Sequence, residues 1–186
     1  LMALSKITTE SLLDGEITAA KFATGAVAFP HTVQTNVIVA SSQSISANTV
    51  TNITNLNATI TPTAGTKILI TVRWNGEGSN VNAQGIIFGI RRDTTIVGNP
   101  DAAGDRKVGM AHGAMGYWNA DAGSTPEFVM YQYLDSPSTG SAITYHATLE
   151  NRNAQTFYHN RSVDDTDNTT HPRLTSTITL QEVVAP

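Results

Sequence analysis

Hydrophobic and polar residues alternate along most of the chain, with the period of two that a half-buried β-strand requires. In the stretch 67–74, every second residue from Ile68 to Trp74 is apolar. The same alternation predicts further strands, at about 50–61, 85–92, 107–118, 127–135, 141–150, 154–160 and 173–184. No window after residue 30 sustains the 3.6-residue period of a helix. We therefore expect an all-β fold, either a sandwich or a barrel.

Two clusters of turn-forming residues connect these predicted strands. The segment 62–65, Pro-Thr-Ala-Gly, lies between the strands at 50–61 and 67–74. Because Pro and Gly favour tight turns, we expect those two strands to form a hairpin. The segment 92–95, Arg-Asp-Thr-Thr, predicts a second tight turn, which leads into residues 96–98.

The composition agrees with an all-β fold and excludes several classes of function. The 186 residues include 27 Thr and 14 Asn but only 4 Lys and 6 Glu, and β-branched Thr suits a pleated sheet. A formal net charge of −4 argues against nucleic-acid binding. No apolar run approaches the roughly 18 residues of a membrane span, so we expect no membrane contact. The absence of Cys excludes disulfides and thiolate metal sites.

The first 30 residues differ from the rest of the chain and form a predicted arm. A three-residue pattern, in which Gly is followed by any residue and then by a β-branched residue, occurs at 15–17 and again at 25–27. So short a segment cannot bury its own apolar side chains, which therefore need a partner surface. The candidate anchoring residues are Ile7, Leu12, Leu13, Ile17, Phe22 and Val27. We divide the chain into an anchoring and trimerisation arm at 1–30 and a head domain at 31–186.

Segments of both parts resemble bacteriophage proteins. The arm segment 7–21, ITTESLLDGEITAAK, resembles the "DGTITxAK" segments of phage fibre and virion-surface proteins. Four head segments are similar to the small jelly-roll heads, of the tumour-necrosis-factor or C1q-like type, that such arms carry. These segments are TAGTKILI at 63–70, FGIRRDTTIVG at 88–98, LDSP at 134–137 and STITLQEV at 176–183. Together with the arm, these segments span nearly the whole chain. Their order along the chain is what makes the resemblance specific.

The resemblance implies a jelly-roll β-sandwich that assembles as a homotrimer, with the arms leading into the particle. It implies a virion protein but does not say which part of the virion carries it. The short arm favours a capsid decoration (cement) protein or a short head fibre, and we expect a non-enzymatic role without a cofactor. The arm would bind the major capsid protein or another virion protein. The expected location is the virion surface after assembly in the reducing host cytoplasm, which a Cys-free chain suits.

Arm length and chemistry leave two alternatives open. Thirty extended residues span at most about 100 Å, which is too short for a long tail fibre. A short tail fibre or fibre tip that recognises a host surface glycan or protein is the first alternative. A polysaccharide depolymerase with paired carboxylates is the second, but we expect no enzymatic activity. The chain has no Gly-x-Ser-x-Gly motif, and its five His are not at metal-ligand spacing.

Aromatic and apolar residues supply candidate contact sites. The strand at 127–135 is apolar on both faces, which predicts one face in the core and the other at a seam of the trimer. One face consists of Phe128, Met130, Gln132 and Leu134, and the other of Val129, Tyr131 and Tyr133. Trp118 lies at a predicted strand end and is the candidate for an exposed contact.

The densest polar cluster contains Asp164, Asp165 and Asp167. Alternating oxygen ligands suit Ca²⁺, but an EF-hand loop counted from Asp164 needs Gly and Glu where this chain has Thr169 and Thr175. A solvated acidic loop between two strands is the interpretation that we favour, and the ion-binding alternative stays open. We assign no metal site.

Overall fold

The computed structural model describes residues 31–79, 86–102, 104–113 and 123–183. In these ranges the chain forms β-strands and no helix, so the all-β prediction is confirmed. The strands are β1 (Thr32–Val37), β2 (Ser41–Ile45), β3 (Thr51–Ile60), β4 (Lys67–Gly78), β5 (Ile87–Arg92), β6 (Thr95–Val97), β7 (Ala111–His112), β8 (Glu127–Asp135), β9 (Ile143–Glu150), β10 (Gln155–His159) and β11 (Ser176–Val183).

The described strands form two antiparallel sheets that pack as a sandwich. In sheet A, β8 pairs with one edge of the long strand β4, and β11 and β10 follow one another along its other edge. The strands β1 and β2 pair with β11 and β10 and form the opposite border of the sheet. Sheet B has the order β3-β9-β5-β6, with β7 also paired to β5.

Alternating residues of both sheets form a single core. Trp74 of β4 lies at its centre, fully buried, with its ring centroid 5.1 Å from Phe88 of β5 and 6.4 Å from Phe157 of β10. The predicted alternation in 67–74 is confirmed, because Ile68, Ile70, Val72 and Trp74 are all fully buried. Contacts across these aromatic rings join the two sheets.

The predicted hairpin between the strands at 50–61 and 67–74 is wrong. β3 pairs with β9 in sheet B, whereas β4 lies in sheet A, so the segment 61–66 crosses from one sheet to the other. Glu182 of β11 holds this crossover, because its carboxylate accepts hydrogen bonds from Thr63 N at 2.7 Å and Thr66 Oγ1 at 2.8 Å. Both strands bury their apolar faces in the same core, each from its own sheet.

The second predicted turn is confirmed. β5 and β6 form a hairpin through Asp93 and Thr94, and Asp93 takes the left-handed conformation with φ 49°. The backbone N of Asp93 donates to Thr144 O at 2.8 Å, and its side-chain Oδ1 accepts from Thr144 N at 2.9 Å. These bonds to β9 hold the tip of the hairpin, and an Asp tolerates the positive φ that a Thr resists.

Two strand predictions differ from the structure in detail. Of the strand expected at about 107–118, the described residues form only β7, and residues 114–118 lie outside the described ranges. The strands β1 and β2 were not predicted, because they consist mainly of Thr, Ser, Gln and Asn. The other predicted strands match within a few residues at each end.

Candidate interaction surface

The outer face of β8 carries three large apolar side chains that the sandwich does not cover. Phe128, Met130 and Leu134 are 56%, 54% and 44% exposed, whereas Val129 and Tyr131 face the core. The alternation of β8 therefore confirms the predicted division of its two faces. We call Phe128, Met130 and Leu134 the apolar row.

The rest of the outer face of sheet A is polar but almost free of charge. Gln132 Nε2 donates to Thr71 Oγ1 at 2.9 Å, and Thr179 Oγ1 donates to Gln34 Oε1 at 2.9 Å. On the described outer faces of β1, β11, β4 and β8, the exposed charged residues are Lys67 and Arg73. A face with an apolar row and neutral hydrogen-bonding side chains is typical of a surface that another protein covers, since interface centres are depleted of charge.

Sheet B has a different outer face. Arg91 of β5 donates from Nη1 to Asn52 Oδ1 at 2.7 Å, and Lys107 forms an ion pair with Glu150 of β9. His146 lies half-buried beside Arg91, and burial together with the Arg91 charge lowers the pKa of its imidazole. This face therefore carries partly buried charged side chains with partners of their own, so the two outer faces are chemically distinct.

A second exposed apolar group lies at the corner between β1 and β2. Ile38 and Val39 are 74% and 68% exposed. Asn160, fully buried with φ 60°, donates from Nδ2 to Val37 O at 2.7 Å and to Val39 O at 3.2 Å. We call Ile38 and Val39 the apolar corner. The buried Asn fixes its backbone, so the two side chains are held in solvent.

Glu77 of β4 attaches two loop segments to the end of sheet A. Its carboxylate accepts from Val163 N at 2.9 Å and, at 3.4 Å, from both N and Oγ1 of Thr125. Nearby, burial and the Glu77 charge raise the pKa of Glu127. The buried carboxylate therefore serves as a structural acceptor, a role for which the sequence holds no local signal.

The acidic loop directs its carboxylates to donors of its own chain. Asp164 Oδ1 accepts from Thr166 N at 2.9 Å and Thr166 Oγ1 at 2.6 Å, and these bonds lower the pKa of Asp164. Asp165 pairs with Arg173 and, at 3.7 Å, with Arg161, and the Arg173 bond is the main cause of its lowered pKa. In the described part of the chain, no group of three or more His, Asp or Glu side chains has the arrangement of a metal site.

Among the described residues, buried polar networks of the core connect strands. His159 lies between Trp74 and Gln43, at 2.9 Å from Trp74 Nε1 and 3.1 Å from Gln43 Oε1. Asp135 Oδ2 accepts from Arg92 Nη1 at 2.8 Å and from the Tyr145 hydroxyl at 2.6 Å, which joins β8 of sheet A to β5 and β9 of sheet B. Each network therefore joins strands through hydrogen bonds between side chains that are buried or half-buried.

The predicted anchoring residues and Trp118 lie outside the described ranges. The anchoring residues are Ile7, Leu12, Leu13, Ile17, Phe22 and Val27, all within the predicted arm. The apolar row was indicated by the sequence, whereas the apolar corner was not. Its two apolar residues are consecutive, and the Asn that holds them is more than 120 residues away along the chain.

Comparison with known proteins finds no family model that matches this chain, and no curated protein is significantly similar to it. The described residues contain no helix with the length and apolarity of a membrane span.

Proposed function

We propose that this chain is a non-enzymatic structural protein of a bacteriophage virion, a homotrimeric capsid decoration or short head-fibre protein that binds the particle through its arm at 1–30. The strand order supports a jelly-roll head. Sheet A contains β1-β11-β4-β8 and sheet B contains β3-β9-β5-β6, and a jelly roll has eight such strands in two facing sheets.

The outer face of sheet A is the observation that carries the proposal. Its apolar row and scarcity of charge fit a surface that other copies of the chain cover in a trimer. Fully burying an exposed large apolar side chain contributes about 1.5–3 kcal/mol, so each of these half-exposed residues would contribute roughly half as much to an association energy. A head with one interactive face and one charged face suits a protein that assembles on a larger structure.

The use of the buried polar groups supports a non-enzymatic role. Asp135 accepts from Arg92 and Tyr145, and Glu77 accepts from Val163 N and from both N and Oγ1 of Thr125. Carboxylates that accept hydrogen bonds in this way stabilise a fold.

Deletion of residues 1–30 tests the proposed anchoring. Purified full-length chain and the deletion variant are mixed with particles that lack the protein, and bound copies are counted by quantitative mass spectrometry. We expect high occupancy on the capsid for the full chain and none for the deletion variant, which should stay folded and trimeric. Full occupancy without the arm would contradict the proposal.

A point variant in the arm gives a matched control for this experiment. The double substitution Leu12→Asp and Leu13→Asp should abolish binding, while Ser11→Asp in the same segment should leave it intact. A few copies confined to the tail would instead favour the short tail fibre. Release of oligosaccharides from host polysaccharide by the purified chain would contradict the non-enzymatic role.

A further inference from the structure

The outer face of sheet B holds a small cavity that is lined in part by Gly89 of β5. Because Gly89 has no side chain, the space above it stays open. A Cβ atom there would lie 3.2 Å from Thr148 Oγ1 and 3.8 Å from Asn99 Oδ1, so both oxygens border this space. The cavity offers about 10 Å³, which is room for roughly one water molecule. An organic ligand does not fit, so the chemistry of this site is that of its own side chains.

An amine, a carboxamide and a carboxylate meet at this cavity. Asn99 and Glu150 both line it. Lys107 forms an ion pair with Glu150, and the next residue, Val108, also lines the cavity. Asn99 Nδ2 donates to Val108 O at 3.5 Å, so the carboxamide lies beside the backbone that carries Lys107. The three groups therefore belong to one site.

The carboxylate of this site is largely withdrawn from water. The Glu150 side chain is 11% exposed and the Lys107 side chain 29%. Apolar side chains form other parts of the cavity wall, among them Val50, Ile87 and Ile96. A lysine amine is a nucleophile only after it has lost its proton, and the carboxylate in contact with it is the acceptor for that proton.

The residue that follows Asn99 removes a competing reaction of its side chain. An Asn carboxamide ordinarily loses ammonia when the backbone nitrogen of the next residue attacks its Cγ. Here the next residue is Pro100, which has no N–H. That route is closed, so the Asn99 Cγ stays available to the amine of Lys107.

From these observations we propose that Lys107 and Asn99 become joined by an isopeptide bond, an amide between the two side chains, with Glu150 as the acid–base group. Nζ attacks Cγ, the Nζ–Cγ bond forms and the Cγ–Nδ2 bond breaks. Nζ gives up two protons, and Glu150 passes them to the departing nitrogen, which leaves as ammonium. Thr148 Oγ1 donates to Oδ1 while negative charge develops there. The balance needs no co-reactant, and the reaction occurs once per chain.

The bond closes residues 99–107 into a covalent ring and fixes this loop beside β5 and β9. A cross-link of this kind restricts the unfolded chain in the way that a disulfide does. The chain has no Cys, and an amide bond is not broken by reductants. The head would thus carry a covalent lock that a reducing environment leaves intact.

Mass spectrometry of the purified full-length chain tests the bond. After incubation at neutral pH, we expect an intact mass below that of the sequence by one ammonia, about 17 Da. Trypsin should then release residues 93–106 and 107–152 as one cross-linked species, because acylated Lys107 is no longer a cleavage site. The full sequence mass for the natural chain would overturn the proposal.

Matched variants separate the roles of the groups, and circular dichroism checks that each variant folds. Lys107→Arg keeps the positive charge beside Glu150 but lacks the attacking amine, and Glu150→Gln keeps the size but accepts no proton. Both should retain the full mass. Lys67→Arg, at an exposed position of β4, should lose ammonia as the natural chain does.

Two further variants identify the atoms involved. Asn99→Ala should retain the full mass, whereas Thr148→Val should slow the loss of ammonia in a time course. Loss of ammonia that persists in Lys107→Arg or in Asn99→Ala would arise from other side chains and would overturn the proposal. Loss at the natural rate in Glu150→Gln would contradict the acid–base role of Glu150.

Discussion

The indole Nε1 of Trp74 donates a hydrogen bond of 2.9 Å to Nδ1 of His159, inside the core of the sandwich. Because an indole N–H can only donate, Nδ1 must be the acceptor, and the imidazole proton lies on Nε2. Nε2 then donates to Gln43 Oε1 at 3.1 Å, and Gln43 Nε2 donates in turn to Asn52 O at 2.8 Å. This chain of bonds runs from β4 through β10 and β2 to β3, and it requires a neutral His.

Protonation of His159 should therefore destabilise the fold. Burial lowers the pKa of His159 to about 4, against 6.5 for an ordinary His. Between these two values the unfolded state binds more protons, so the free energy of unfolding decreases as the pH falls from 6.5 to 4. The expected loss from this group is about 3 kcal/mol. Urea unfolding at several pH values measures it.

The variant His159→Asn isolates the contribution of this group. An Asn oxygen can accept from Trp74 and does not titrate, so the variant should lose less stability between pH 6.5 and 4 than the natural chain. His112→Asn, at an exposed position of β7, should keep the pH dependence of the natural chain. Equal pH slopes for the natural chain and His159→Asn would show that His159 is not the titrating group.

Asp135 should be essential to the connection between the two sheets. Burial, with the nearby Asp135 carboxylate, raises the pKa of Tyr145, so the phenol stays a donor. Asp135→Asn leaves Arg92 without its counter-charge, and we expect a loss of about 2–3 kcal/mol in the free energy of unfolding. Tyr145→Phe removes one hydrogen bond and should cost about 1–2 kcal/mol. Denaturant unfolding measures both.

A matched carboxylate on the surface gives the control. Asp101→Asn, in an exposed loop, should change the free energy of unfolding by less than about 0.5 kcal/mol. A loss for Asp135→Asn no larger than this would mean that the Arg92 pair contributes nothing to the fold.

Glu77 should hold the segments at 123–125 and 161–163 in place against local opening. Glu77→Ala removes the acceptor of Val163 N, so we expect hydrogen exchange of that amide to become at least tenfold faster. The same variant removes the charge that helps to raise the pKa of Glu127, which should fall towards the ordinary value. Nuclear magnetic resonance measures both effects on one sample.

The reciprocal variant distinguishes this role from a general loss of stability. Glu127→Gln keeps the Glu77 carboxylate and should leave exchange of the Val163 amide unchanged. If Glu127→Gln accelerated that exchange as much as Glu77→Ala, the hydrogen bond to Glu77 would not be its cause.

Strands that bury one apolar face could be predicted from the sequence. In β4 and β11 the alternation gives both the strand and the face that enters the core, because burial selects every second residue. β1 and β2 carry Thr, Ser, Gln and Asn at most positions, and pairing at the sheet border, rather than burial, makes them strands. Hydrogen-bond pairing over long sequence separations leaves no local pattern.

Partners distant in sequence also explain two features that the sequence did not predict, the crossover at 61–66 and the apolar corner. The turn at 62–65 was visible, but a turn signal does not say whether the next strand pairs with the previous one or faces it from the other sheet. Glu182, which holds that crossover, is 119 residues from Thr63. The apolar row follows from the period of β8, whereas the exposure of Ile38 and Val39 depends on Asn160.

Gly76 of β4 should tolerate no side chain. A Cβ atom at this position would collide with the backbone O of Tyr158 on β10 and with the indole ring of Trp74. Since the Tyr158 oxygen is backbone and Trp74 is held by His159, neither group can move without breaking sheet A or the core. We expect Gly76→Ala to lower the free energy of unfolding by about 3 kcal/mol or more, measured by urea denaturation.

Gly140 provides the matched control for Gly76→Ala. A Cβ atom there would meet its nearest neighbour, Ala64 Cβ, at 3.6 Å, which is an ordinary van der Waals distance. Gly140→Ala should therefore change stability by less than about 1 kcal/mol, and the reduced entropy of the unfolded chain favours a small gain. Equal stability of the two variants would mean that β4 and β10 do not approach each other closely at Gly76, which would contradict the pairing of these strands.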